Sequence, residues 1–201
     1  MKYLGKPAGM WALFAGSFEK HLTVEFDLTA GQAKDVAARA KKKYREIIAK
    51  LPEFDKRDRF EMNIVNCAML AAFILCMPQR PDIKTLTDYY AAAMMTPTMK
   101  AFCRASGKKK FTPKDIEGMK ATAKLRAGDR NPYSWNMDFF EYENGSGYEA
   151  RFTTCGICTL MQVLGLYDLT PALCHLDYTM SDAGGASDFV REYTLASGGP
   201  Y

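Results

Sequence analysis

The sequence predicts an α+β fold: a helical N-terminal part packed on a small three-stranded antiparallel sheet with two short helices, in the order β-β-α-α-β. Three observations predict it. Apolar residues recur at steps of three and four through the first two thirds of the chain. The period shortens to two after Arg130, and an Asn-Gly turn separates the first two alternating runs. The chain has 201 residues, enough to bury a real core in one domain. Residues 1–130 read as the helical part and 131–201 as a small α+β part. Some 70 residues stand poorly alone without a staple, so the two are expected to form one cooperative unit.

The first element needs separating from a secretory signal. Lys2 and Lys6 precede an apolar stretch, Ala8 to Gly16. Gly9 and Gly16 break it, no small-x-small cleavage site follows, and it runs into Phe18, Glu19, Lys20 and His21. It reads as a helix burying Trp11, Phe14 and Phe18, and the protein is therefore expected in the cytoplasm. The stripe Ala33, Val36, Ala37, Ala40, Tyr44, Ile47, Ile48 and Leu51 defines a second helix over 29–51, stopped by Pro52. Arg39, Lys41, Lys42, Lys43 and Arg45 fall mostly off that stripe, as a solvated face. Residues 60–77 are apolar almost all round, which marks a central buried helix. Helices are expected at 83–95 and, after Pro97, at 99–106, with Met94, Met95 and Met99 as flexible core filler. Thr112, Pro113 and Asp115 supply a capping hydroxyl, a first-turn proline and an acid near the positive helix end, opening a helix that ends near Gly128.

Residues 134–143 and 148–153 flank Asn144-Gly145-Ser146-Gly147 and predict a hairpin. Tyr148, Ala150 and Phe152 lie on one face, and Glu149, Arg151 and Thr153 on the other. A short helix follows from Cys155 to Leu164, capped by Gly165. Another runs from Thr170-Pro171 to Met180 or Ala183, ending at Gly184-Gly185. Phe189 to Leu195 alternates again and reads as the third strand.

Composition excludes some partners. Apolar residues are 48% and charged residues 25%, ordinary for a globular chain. No apolar run reaches the ~18 residues of a membrane span, so no membrane partner is expected. A net charge of +4 is too mild and too dispersed for a dedicated nucleic-acid binder. A small-molecule substrate is the expected partner, and a homo-oligomer stays open. Six cysteines do not make a disulfide-dense scaffold. Cys67, Cys76 and Cys103 sit in apolar or helical contexts as core residues.

The residues that carry chemistry are Cys155 and Cys158, a C-x-x-C where a strand meets a helix, and Cys174 sixteen residues on. Unpaired N–H groups at a helix start favour thiolates. Asp177 lies three residues beyond Cys174, on the same face. The cluster fits three readings: ligands for a divalent metal or an iron–sulfur centre, a nucleophilic or redox-active cysteine, or small residues packed at a helix crossing. His175 is expected to face solvent. Glu149 and Arg151 share a strand face, as an exposed pair or as a base and a carboxylate clamp. Ser197-Gly198-Gly199 reads as a terminal loop. No Ser–His–Asp set, H-E-x-x-H, P-loop or dinucleotide fingerprint is present.

Gly147-Tyr148-Glu149-Ala150 through Thr154-Cys155-Gly156-Ile157-Cys158, Leu169-Thr170-Pro171 to Leu173-Cys174-His175-Leu176-Asp177, Arg191, and Thr194-Leu195-Ala196-Ser197-Gly198-Gly199 together resemble the L-2-amino-thiazoline-4-carboxylic acid hydrolase-like family. The clear match covers the last third. The resemblance implies a hydrolase acting on carbon–nitrogen bonds that opens the cyclic amidine of 2-amino-thiazoline-4-carboxylate to N-carbamoyl-cysteine. For that reaction Cys155 or Cys158 would attack or help hold a metal, Asp177 or Glu149 would be the base, and Arg151 or Arg191 would hold the carboxylate. Metal ligation would fall to Cys155, Cys158 and Cys174. Family members usually carry one more cysteine after the Gly-Gly pair, so Asp177 or another residue would supply the fourth ligand. The alternative is a non-catalytic metal- or small-ligand-binding domain built on the same cysteines.

Overall fold

The computed structural model describes residues 1–55, 58, 60–186 and 188–199. Six long helices come first: α1 (Lys6–Glu25), α2 (Ala30–Lys50), α3 (Glu61–Ile74), α4 (Ile83–Met94), α5 (Pro97–Gly107) and α6 (Pro113–Arg126). The hairpin β1 (Asn136–Glu141) and β2 (Tyr148–Thr154) follows, then α7 (Gly156–Val163), α8 (Thr170–Cys174) and α9 (Leu176–Gly184). Short 3-10 turns precede α8 and close the described chain at Leu195–Ser197. None of these helices is long and apolar enough to cross a membrane.

The helix starts follow their local chemistry. Thr29 and Gln32 cap α2 reciprocally: the Gln32 amide donates to the Thr29 hydroxyl and the Thr29 amide to the Gln32 side chain. Asp82, Thr96 and Thr112 each accept an amide from the first turn of α4, α5 and α6. Arg39, Lys41, Lys42 and Arg45 are exposed, as a solvated face requires.

The core is built around α3, whose residues from Cys67 to Ile74 are all buried. α1, α2 and α7 pack against it. The Trp11 ring stacks between Tyr44 and Phe73, with centroids at 5.7 and 5.6 Å, and keeps one edge partly exposed. Buried hydroxyls find carbonyls: Tyr44 donates to Pro7 O and Tyr89 to Phe18 O. The C-terminal third adds Trp135, Leu160, Met161, Leu169, Leu173 and Leu176 to the same apolar cluster.

The hairpin is antiparallel, pairing Met137 with Phe152 and Glu141 with Tyr148. Gly145 takes φ +70°, and Tyr142 and Gly147 close the turn with an amide-to-carbonyl bond of 3.0 Å. The sheet of the described residues has two strands, not three. Phe189 to Leu195 alternates as a strand does, but its partners are helical. The Phe189 ring packs edge-on to Tyr178 of α9 at 5.0 Å, and the Arg191 guanidinium turns into α8 and α9. The segment is a strap over these helices. Amides of Ser197, Gly198 and Gly199 are spent on Thr194 and Leu195 carbonyls, closing a turn.

The helix expected from Thr170 to Met180 breaks at His175. Arg191 Nη1 donates to Cys174 O at 2.9 Å, and the Tyr178 amide reaches His175 O instead, at 3.2 Å. A side chain inserted into the ladder produces a local 3-10 step and a bend. His175 itself is exposed. α9 then crosses α5 with the backbones nearly touching. A Cβ on Gly107 would sit 2.4 Å from Gly184 O, so only glycine permits this approach.

One buried polar network joins the helices to the hairpin. Arg126 at the end of α6 is 3% exposed and Asp58 before α3 is 5% exposed. Arg126 Nη1 donates to Asp58 Oδ2 and to Ser134 Oγ, both at 2.6 Å, and Ser134 Oγ donates to Asp58 Oδ2 at 3.0 Å. Asp129 also accepts from Arg126, and the Arg126 carbonyl accepts from the Asn136 amide group. Breaking such a pair leaves an uncompensated buried charge. Arg126→Met is therefore expected to cost about 3–5 kcal/mol, and Ser134→Ala about 1 kcal/mol, read as shifts of the urea midpoint at unchanged slope.

Candidate thiol site

Cys155 is the N-cap of α7, extended at φ −132° and ψ 114°, where β2 hands the chain to the helix. Gly156 follows, and a Cβ there would lie 2.1 Å from Tyr133 O. The first turn of α7 is thus pressed against the backbone just before Ser134, which belongs to the buried network. Trp135 is the next residue. It is buried, and its ring packs on Phe60 at 5.1 Å, which in turn meets Phe152 at 5.9 Å. This wall holds the indole N–H toward Cys155.

The two thiols of the C-x-x-C ionise in opposite senses. The neighbouring Cys158 thiol is the largest influence drawing the Cys155 pKa down to about 7. Burial opposes this, while the Cys158 and Ile157 amides and the Trp135 indole add to it. Cys158 is pushed strongly up, first by the neighbouring Cys155 and then by burial. Cys174, on the neighbouring α8, is raised to about 11 by burial and by the Cys155 charge, with Arg191 opposing. Cys67 lies behind them, fully buried, with its sulfur 3.9 Å from the Tyr90 hydroxyl. Burial and the charges of Cys155, Cys174 and Asp177 all raise Cys67, so the four sulfurs share one electrostatic neighbourhood. All six cysteines are free thiols, and only Cys155, Cys158 and Cys174 are partly exposed.

The charged candidates pair with each other. Arg191 binds Asp177 and lies over the Tyr178 and Phe189 rings at 5.7 and 4.8 Å. Glu149 accepts from Arg151 at 3.1 Å on the hairpin, and the guanidinium covers Phe140 at 4.8 Å. Glu149 stands six residues before Cys155 along an extended strand, roughly 20 Å away, beyond proton-transfer reach. Among the described residues no group of three or more His, Cys, Asp or Glu side chains stands in an arrangement that would hold a metal ion. The donor set as arranged does not fit a metal centre, and no step is routed through one.

A cavity of about 610 Å³ opens beside this turn. Thr154 and Thr159, which bracket the C-x-x-C in sequence, line one side, and Asp129, Arg130, Asn131 and Asn136 line the other. The sulfurs are not part of its lining. Sequence reasoning missed Trp135, Arg130 and this cavity. Trp135 reads as one more aromatic in a strand, and only the fold turns its N–H toward sulfur.

The thiols of Cys155 and Cys158 stand at the start of α7, one at the N-cap and one a helical turn on, both partly exposed. The family follows from the sequence carrying them: residues 57–201 match the model of L-2-amino-thiazoline-4-carboxylic acid hydrolase, and the chain belongs to that family. No curated protein and no solved structure matches it.

Alkylation of Cys155 by iodoacetamide is expected to accelerate with rising pH through a midpoint of about 7, because its thiolate forms below the ordinary thiol range. In Cys158→Ala that influence is lost, and the midpoint should move upward. Mass spectrometry of the alkylated chain reads both.

Proposed function

We propose that this protein hydrolyses a small cyclic amidine bearing a carboxylate, of the 2-amino-thiazoline-4-carboxylate kind, with Cys155 as the nucleophile. Family membership supports the substrate class. The mechanism is supported by one observation, the placement of two free, partly exposed thiols one helical turn apart at the start of α7, and their surroundings push their proton affinities in opposite directions. Such a pair divides into a nucleophile and an acid.

The Cys155 thiolate adds to the amidine carbon. The ring carbon–sulfur bond breaks, and the departing sulfur takes the Cys158 proton. A water molecule then attacks the same carbon and gives a proton to Cys158, and Cys155 leaves as thiolate. Water is added across the carbon–sulfur bond, so both amidine nitrogens stay in the N-carbamoyl-cysteine product, and the bond hydrolysed is not the carbon–nitrogen bond first expected. The Ile157 and Cys158 amides favour negative charge beside the reacting sulfur. Arg130 is exposed in the cavity and has no acidic partner among the described residues, so it takes the carboxylate role first assigned to Arg151 and Arg191.

A binding domain without turnover is the second reading, favoured by the cavity lining that contains neither sulfur. An assay for N-carbamoyl-cysteine separates the two. Turnover is expected in the wild type, with a loss of at least ~1,000-fold in Cys155→Ser, since a hydroxyl is far less nucleophilic than a thiolate. Arg130→Met should raise KM by about 10- to 100-fold, as loss of a charged hydrogen bond does. Turnover that survives in Cys155→Ser would overturn the mechanism, and saturable binding without product would establish the second reading.

A further inference from the structure

We propose that Cys155 and Cys158 also form a two-electron dithiol–disulfide couple that exchanges with low-molecular-weight disulfides, Cys155 being the sulfur that attacks and Cys158 the one that resolves. The proposal concerns the thiols and not the amidine, and it stands whether or not the hydrolase reading holds.

The geometry separates this pair from the other cysteines. Cys67, Cys76 and Cys103 are buried, and buried thiols are the inert ones. Cys155 and Cys158 are both partly exposed, one at the N-cap and one at the third residue of α7. Residues three apart on a helix face bring Cβ atoms to about 5–6 Å. A disulfide needs Cβ atoms at about 3.5–4.5 Å. Cys155 is an extended residue outside the helix, so a backbone adjustment at the N-cap brings the Cβ atoms together, and χ1 rotations then turn the two sulfurs toward each other. The helix need not unwind. Each thiol is the largest influence on the other's proton affinity, so the pair interacts before oxidation.

The surroundings also fix the order of attack. The Cys155 sulfur faces the Ile157 and Cys158 amides and the Trp135 indole N–H, the donors that support a thiolate. Gly156 locks that turn against Tyr133, so the donors stay in place as the sulfur changes partners. Cys174 lies on a separate helix, with its backbone carbonyl held by Arg191.

The chemistry balances. The Cys155 thiolate attacks one sulfur of the small disulfide, forming a mixed disulfide and expelling one thiolate. Cys158, giving up its proton to that thiolate, attacks Cys155 Sγ. The second small thiolate leaves and the Cys155–Cys158 bond forms. The protein dithiol loses two electrons and the small disulfide gains them.

Oxidised glutathione is the probe, on the folded full-length chain. The wild type is expected to lose two of its six free thiols and to retain no glutathione. Cys155, Cys158 and Cys174 all fall between Arg151 and Arg191, on one tryptic fragment. The bond is therefore assigned in Cys174→Ser, which should lose the same two thiols. Cys158→Ser should trap one glutathione on Cys155, and Cys155→Ser should form neither the trapped adduct nor the bond. Each variant is first checked for a cooperative thermal transition, and the wild-type thiol count decides without them whether any disulfide forms. All six thiols remaining free, glutathione held stably by the wild type, or retention of all thiols by Cys174→Ser would each overturn the couple. None of these readouts depends on amidine turnover, so failure here and failure of the hydrolase reading are told apart.

Discussion

The buried contact of Arg126 with Asp58 and Ser134 is the constraint on which the site depends. It joins the end of α6, the approach to α3 and the turn before β1 through one guanidinium. Ser134 sits between Tyr133, whose carbonyl meets Gly156, and Trp135, whose indole faces Cys155. Holding Ser134 therefore sets both the seat of α7 and the donor to the thiolate. Apolar packing alone could hold the hairpin on α3 through Phe60 and Phe152, but apolar contacts are non-directional. A charged hydrogen-bond network specifies orientation as well as proximity.

The charged side chains around the motif pair with one another rather than with the thiols. The candidate carboxylates Asp177 and Glu149 already accept from Arg191 and Arg151. The thiols lack such partners. They rely on one another, on helix amides and on an indole, and that is enough to separate their proton affinities across the neutral range. The Asp177–Arg191 pair acts instead on architecture. It fastens the strap to α9, and the guanidinium that makes it also bends the chain at Cys174.

The sequence shows much of this where one physical signal dominates. The α2 stripe, the all-apolar α3, the Thr112-Pro113 start and the Asn-Gly hairpin each rest on local chemistry, and each occurs within a few residues of expectation. The third strand fails because alternation reports only that two sides of a segment differ. It does not say whether the partner is a strand edge or a helix. Phe189 found Tyr178, and Arg191 found a helix carbonyl. The cysteine motif was legible from its spacing. Its donors were not, because Trp135 is twenty residues from Cys155 in sequence and becomes its neighbour only through the hairpin. The Arg126 network was equally hidden, since a basic residue near a helix end ordinarily reads as a solvated partner of the dipole.

The same features serve both proposed activities, and this ties them together chemically. Hydrolysis needs Cys155 as a free thiolate and Cys158 as a proton donor. The disulfide removes both at once, so the oxidised protein has neither nucleophile nor acid. The amidine substrate carries its sulfur as a ring thioether, which cannot exchange with a disulfide. Ring opening releases that sulfur as a thiol. Two molecules of such a product would reduce the Cys155–Cys158 bond, becoming a small disulfide and returning the dithiol. On these readings the reaction generates the chemical group that keeps its own nucleophile reduced. The oxidised couple would accordingly yield first where product accumulates, and a thiol site exposed to solvent would need no separate reductant bound to the fold.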